Sequence, residues 1–266
     1  IAIVGENGAG KSTLIDILLR LYEPTEGTVT IGGVDIKEYL QDSFIKNFSV
    51  VPQFFNIFAA SVSENILLDF GQADSASAIK EALKKVELSD KIKDLKDGLD
   101  CQMTKEFDEN GLVLSGGEMQ KIAIARIFVN HRPVIIMDEP TAALTDEEIR
   151  ILFKIIAELK AEGISILYIS HRMDEIFQIS DRLTVFRDGK YIATKDVGDT
   201  NYDEVVSMMV GRSVTNLYPE RDYTQDEIVL ELKDICGKGV HNVNIRLHKG
   251  EILGVAGLLG SGTIEL

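Results

Sequence analysis

The chain has 266 residues, with 28 Lys plus Arg against 43 Asp plus Glu, a formal net charge of −15. At 45% hydrophobic and 27% charged residues it can bury an ordinary core, which excludes a disordered chain. The length suits about two domains, or one large α/β domain with an appendage. The acidity argues against binding nucleic-acid phosphates or anionic lipid by bulk charge. It leaves open a nucleotide in a local pocket, where a few backbone amides and one Lys outweigh the global field.

The two cysteines, Cys101 and Cys236, lack metal-ligand spacing and fit reduced thiols. No apolar run approaches the ~20 residues that span a bilayer, and the start does not resemble a signal peptide. The chain opens at Ile1 inside an expected strand and stops at Leu266 inside an expected loop, so it reads as part of a longer protein.

In chain order, Ile1–Val4 is an apolar run followed by a Gly-rich loop and an amphipathic stretch, Ser12–Leu21, giving strand, loop, helix. Thr28–Ile31 and Ser49–Val51 are short β-rich runs bounded by Gly32-Gly33 and Pro52. From Ser63 to about Lys93 the apolar spacing is helical, and Gly98–Gly111 is loop-like. Gly116–Asn130 reads as a helix, Val134–Met137 as a fully buried strand, and Glu147–Lys160 as an amphipathic helix ended by Gly163. Ile164–Ile169 is another buried strand. Leu183–Arg187 and Tyr191–Thr194 flank a hairpin turn at Asp188-Gly189, and Tyr202–Val210 is a short helix.

Strands alternating with helices predict an α/β fold with a mostly parallel sheet. The polar segment 213–226 is the expected linker between a first domain, 1–212, and a short remainder, 227–266. Gly257, Gly260 and Gly262 repeat Gly5, Gly8 and Gly10, so the remainder reads as the opening of a second copy. There Thr263 and Ile264 stand where Lys11 and Ser12 stand in the first copy, which predicts weaker nucleotide binding or a structural remnant.

Gly5-Glu6-Asn7-Gly8-Ala9-Gly10-Lys11-Ser12 fits G-x-x-x-x-G-K-[ST] between a strand and a helix, the P-loop pattern. Gly5, Asn7, Gly8, Ala9 and Gly10 would turn backbone N–H groups around phosphate oxygens at a helix start. Lys11 would reach the β- and γ-phosphates, Ser12 would hold Mg²⁺, and Thr13 would contact the α-phosphate. A chance Gly-rich turn is the alternative, and the flanking strand and helix count against it.

Two more buried strands run into chemistry. Val134–Met137 leads to Asp138-Glu139, and Ile164–Ile169 leads to Ser170-His171. In a parallel sheet, ligands bind at that carboxyl edge. Asp138 is placed to hold Mg²⁺ through water, Glu139 to orient or deprotonate an attacking water, and His171 to bond the γ-phosphate. Each alone could be a solvated turn or an exposed His.

Ser115 and Glu118 form a capping box ahead of a helix. Gly116 and Gly117 between them suggest a second anion site, which one domain does not need unless two copies sandwich ATP head to tail.

With these residues in this order, the chain resembles the ATP-binding cassette ATPases of membrane transporters. The resemblance rests on the phosphate loop, Gln53, Leu114-Ser115-Gly116-Gly117-Glu118-Met119-Gln120, Asp138-Glu139-Pro140 and His171. It implies a P-loop NTPase fold with an inserted helical subdomain, and the cofactors ATP and Mg²⁺. Gln53 would be a lid residue sensing Mg²⁺ and water. Ser115, Gly116 and Gly117 would complete the site of an opposite cassette, and Thr141–Thr145 would line the seam.

The implied partners are a second cassette (same chain or a homodimer), transmembrane permease subunits and an external sugar-binding protein, with no nucleic acid. The implied location is the cytoplasmic face of a membrane. The family's adenine-stacking aromatic residue would lie upstream of Ile1.

The character of the resemblance changes along the chain. Residues 1 to about 137, with the lid segment Gln53–Phe58 and Ser63–Ile66, look like exporter-type cassettes. From Leu144 onward, Ile169–Phe177, Phe186–Lys190 and Met208–Arg212 look like tandem-cassette sugar importers of the ribose, galactose and xylose group. A recombinant gene, or two genes joined near Met137–Leu144, would give this pattern. The leading reading is an ATPase subunit powering transport, with carbohydrate import foremost and an exporter-type domain as the alternative. A cassette acting on nucleic acid or ribosomes, and a module that binds ATP without hydrolysis, are the competing classes.

Overall fold

The computed structural model describes residues 1–68, 75–129, 132–211, 227–237 and 240–255. The chain divides into two compact units, Ile1–Val214 and Thr215–Leu266.

In the first unit, β1 (Ala2–Val4) leads to α1 (Lys11–Leu18). A small hairpin, β2 (Thr30–Ile31) and β3 (Val34–Asp35), follows, then α2 (Gln41–Ile45) and β4 (Phe48–Val51). Three short helices come next: α3 (Val62–Leu67), α4 (Ala76–Lys85) and α5 (Ser89–Lys93). After them the chain forms α6 (Gly116–Val129), β5 (Val134–Asp138), α7 (Asp146–Ala161), β6 (Ser165–Ile169) and α8 (Met173–Ile179). It closes with the hairpin β7 (Arg182–Arg187) and β8 (Lys190–Asp196), then α9 (Tyr202–Val210). The main sheet has the order β4–β5–β6–β1–β7–β8, parallel except for the antiparallel β7–β8 pair.

The continuous apolar runs are explained by burial on both faces, since successive strand side chains point to opposite sides. On β5, Ile135 and Met137 join the larger core with α6, α7 and α8, whereas Ile136 joins a smaller core with Ile3, Ile15 of α1 and Ile169. β1 divides the same way, Ala2 and Val4 to one side and Ile3 to the other. Full burial of each such Ile or Met is worth about 1.5–3 kcal/mol. That burial fixes the register in which β1, β5 and β6 end together.

The chain leaves β1 for strands on one side and crosses back over it to β7 after β6, so the β1 loop sits at the switch in strand order. Such a switch is where open α/β sheets bind ligands.

The long helical stretch predicted from Ser63 to Lys93 is broken. Leu68 (φ 54°) ends α3, and Glu87 (φ 55°) follows α4. A residue in the left-handed region cannot continue the helix, and apolar periodicity alone does not register it. α3 and α4 pack on α6, forming the inserted helical part.

In the second unit, β9 (Ile228–Gly237) pairs antiparallel with β10 (Val240–His248). The predicted linker, 213–226, lies wholly outside the described residues, as do Gly257, Gly260, Gly262, Thr263 and Ile264. Among the described residues no helix is long and apolar enough to cross a membrane.

Candidate functional site

The carboxyl ends of β1, β5 and β6 open into one cleft of about 440 Å³. Asn7, Gly8, Gly10, Lys11, Ser12 and Thr13 line it from the β1 loop and α1, Asp138 and Glu139 from the end of β5, and His171 from the end of β6. Gln53, just beyond β4, also reaches it. Four segments separated widely in sequence thus deliver the predicted residues to one place.

Gly5 and Ala9 are buried and absent from that lining. They shape the loop from beneath. A Cβ at Gly5 would stand 2.5 Å from the Phe186 carbonyl oxygen of β7 and 3.0 Å from the Ala9 Cβ, so only glycine permits that approach. Gly10 sits at φ 92° directly ahead of α1, and no side chain caps that helix start. Its first amides are therefore left to an outside anion.

Lys11 is buried. Its Nζ donates to the carbonyl oxygens of Gly5 at 2.7 Å and Glu6 at 3.1 Å. These are neutral acceptors, so a cation stands at the cleft without an anion bonded to it. Across from it, the Asp138 carboxyl has its pKa raised by burial and by the neighbouring Glu139 charge, with Lys11 opposing. The Ser12 and Thr13 side chains are exposed.

Among the described residues no three His, Cys, Asp or Glu side chains converge on a point. A hard cation would therefore draw on the Ser12 hydroxyl, Asp138 and the oxygens of a phosphate ligand. That donor set suits Mg²⁺, which commonly binds through one or two carboxylates plus substrate phosphates.

Glu139 is buried and sits at φ 47°, a strained conformation for a residue with a side chain. Its amide donates to the Ile169 carbonyl at 2.9 Å, which fixes the turn. Its Oε2 lies 2.9 Å from Nδ1 of His171, a contact that places hydrogen on Nδ1 when Glu139 is ionised. The sequence assigned Glu139 to water and His171 to a phosphate, with no hint that the two would touch.

Ser115, Gly116 and Gly117 do not line this cleft. They stand at the start of α6, where a Cβ on Gly117 would come within 3.1 Å of the Glu148 carboxylate and 3.2 Å of the Ala143 carbonyl. The predicted capping box forms. Glu118 N–H donates to Ser115 Oγ at 3.3 Å, and Ser115 N–H donates to Glu118 Oε2 at 2.9 Å.

Two features escaped sequence reading. The Gln120 side chain bonds both the Pro140 carbonyl and the Ala143 amide, fastening α6 to the turn after Glu139. Glu175 on α8 is buried and accepts from Thr141, Tyr168 and Ser170. An acidic residue opening a helix reads as ordinary first-turn chemistry, so Glu175 carried no signal, and Gln120 stood out only as the end of the run 114–120.

A family model described as "ABC transporter" matches residues 1–142, just over half of the chain. Two relatives are named Ribose import ATP-binding protein RbsA. One, from Clostridium perfringens, is 40% identical over 100% of this chain and 52% of its own length. The other, from Oceanobacillus iheyensis, is 42% identical over 100% of this chain and 53% of its own length. The chain thus spans about half the length of these relatives. A solved structure of a bacterial Atm1-family ABC exporter with ATP bound is 31% identical, with a TM-score of 0.68, covering 79% of this chain and 36% of that one.

Proposed function

The chain belongs to the ABC transporter family, and on that premise we propose that it is an ATP-binding subunit that hydrolyses ATP to drive carbohydrate import. The observation that carries the proposal is the cleft in which Lys11, Ser12, Asp138 and the Glu139–His171 pair converge.

ATP binds with its phosphates on the uncapped start of α1. The Lys11 ammonium exchanges carbonyl partners for phosphate oxygens. Mg²⁺, when bound, supplies charge neutralisation, and Ser12 and Asp138 are the residues that would hold it. Glu139 orients a water and takes its proton as the water oxygen attacks the γ-phosphorus and the bond to ADP breaks. His171 meets Glu139 through Nδ1, which leaves Nε2 for the terminal phosphate. Gln53 reaches the same cleft from β4 and takes the lid role.

Ser115, Gly116 and Gly117, which do not line the cleft, serve the site of an opposing cassette. The relatives, about twice the length of this chain, support a second cassette that begins in residues 227–266, after a linker at 213–226. Permease subunits in the membrane and an external sugar-binding protein complete the assembly, with this chain at the cytoplasmic face.

The likeness to the exporter structure at 31% identity favours one finer reading. Residues 1 to about 137 carry the exporter-like motifs, the lid segment Gln53–Phe58 among them, although the likeness to the exporter structure covers 79% of the chain and is not confined to them. Against a separate origin of the two halves stands a match to one relative, 40% identical, that covers 100% of this chain, Met137–Leu144 included.

The decisive experiment is Glu139→Gln in the full chain. ATP turnover is expected to fall at least about 100-fold, the lower range for losing a positioned base, with ATP binding retained. Undiminished phosphate release would sink the assignment.

A further inference from the structure

We propose that Glu175 is a positioning residue for this reaction. Its buried carboxylate ties the turn after Glu139 to the strand end that carries His171, and so sets the geometry of the Glu139–His171 pair. The inference rests on the ATPase reading above.

The Oε2 atom of Glu175 accepts three hydroxyl hydrogen bonds: from Tyr168 at 2.8 Å, Thr141 at 3.0 Å and Ser170 at 3.1 Å. Thr141 lies two residues beyond Glu139. Ser170 immediately precedes His171. Arg172, immediately after His171, brings Nη1 to 3.0 Å from Oε1 as an ion pair without hydrogen-bond alignment. The Arg172 amide also donates to Ser170 Oγ at 3.0 Å. One carboxylate thus holds both chain neighbours of His171 and the turn of Glu139.

The backbone shows why such a tie is needed. The β5–β6 register runs to Asp138 opposite Ile169, and the Glu139 amide closes the ladder on the Ile169 carbonyl. Past that bond the two segments meet again on Glu175. Thr141, Ser170, Tyr168 and Glu175 are each at most 2% exposed. A carboxylate so deeply buried is costly unless well partnered. Three donors on one oxygen suit an ionised, acceptor-only group, and burial followed by the Glu175 charge raises the Tyr168 pKa, keeping that hydroxyl a donor. A Gln would turn an NH₂ group either toward Arg172, which can only donate, or toward hydroxyls that would have to accept where they now donate.

A purely structural buried carboxylate would affect melting and the folded fraction, leaving turnover per folded molecule intact. A positioning residue lowers kcat without moving KM. The test uses the full chain, comparing steady-state ATP turnover and melting temperature in wild type, Glu175→Gln, Thr141→Val and Thr141→Ser. Glu175→Gln and Thr141→Val are expected to lower kcat per folded molecule about 10- to 100-fold, the cost of a misplaced reacting group. KM for ATP should stay within about twofold. Thr141→Ser, which keeps the hydroxyl, should restore kcat.

Unchanged kcat in both Glu175→Gln and Thr141→Val would overturn the proposal, as would equal losses in Thr141→Ser and Thr141→Val. Should Glu175→Gln not fold, the Thr141 pair decides alone. No turnover in wild type would overturn the ATPase reading and this inference with it, whereas normal wild-type turnover with unaffected variants overturns this inference only.

Discussion

Two helices in this chain begin at glycine, and their ends differ in kind. α1 starts behind Gly10 with no side-chain cap, and a buried lysine stands one residue in. α6 starts at Gly116 behind Ser115, and Ser115 and Glu118 cap each other's amides. Lys91 of α5 then bonds Glu118 at 2.5 Å. The first end has a surplus of donors and positive charge and faces two carboxylates across a cleft. The second has met part of its own demand and carries its own anion. A helix start is an anion site only to the extent that the chain leaves it unsatisfied. The α6 end is therefore the weaker anion site of the two.

The comparison can be broken at the α1 end first. Lys11→Ala removes the one cation among the described residues that lines the cleft. Losing a buried charge partner costs about 2–5 kcal/mol, so ATP affinity by titration should fall about 30-fold or more. Retained affinity would mean the loop amides alone hold the ligand. At the α6 end, Ser115→Ala should cost about 1 kcal/mol of stability, read by denaturant unfolding, because a cap is lost. ATP binding to the isolated single cassette should not change, since Ser115 lies outside its cleft. A fall in that affinity would contradict the division of labour between the two ends.

The smallest effect is expected from Lys91→Ala. Lys91 is the leading cause that lowers the Glu118 pKa, helped by Ser115 and opposed by burial. A lowered folded-state pKa contributes stability above the ordinary glutamate range, and that stability is lost as pH falls through the folded value. Wild type should thus exceed Lys91→Ala by under about 1 kcal/mol near neutrality, the range of an exposed pair. The gap should close on acidification. A gap that widens at low pH would show that Glu118 is held by something else.

Much of the site was legible because it depends on local chemistry. The P-loop spacing predicted a loop whose glycines have real steric reasons, at Gly5 by close approach and at Gly10 by its positive φ. The apolar runs before Asp138 and His171 predicted buried strands, and those strands do flank one another beside β1. The hairpin at Asp188-Gly189 and the helix Tyr202–Val210 also stand where alternation and periodicity put them. The helical stretch from Ser63 was overextended because Leu68 and Glu87 adopt left-handed backbone that no apolar pattern encodes.

By itself the sequence determined which residues carry charge or hydroxyl chemistry, and which runs must be buried, because composition, periodicity and turn-forming residues act over a few positions. Only the tertiary structure decided that Glu139 touches His171, that Gln120 fastens α6 to the Pro140 turn, and that Glu175 gathers Thr141, Tyr168 and Ser170. Those contacts join segments up to 34 residues apart. Their geometry follows from the register and packing of parallel strands, which no short stretch of sequence contains.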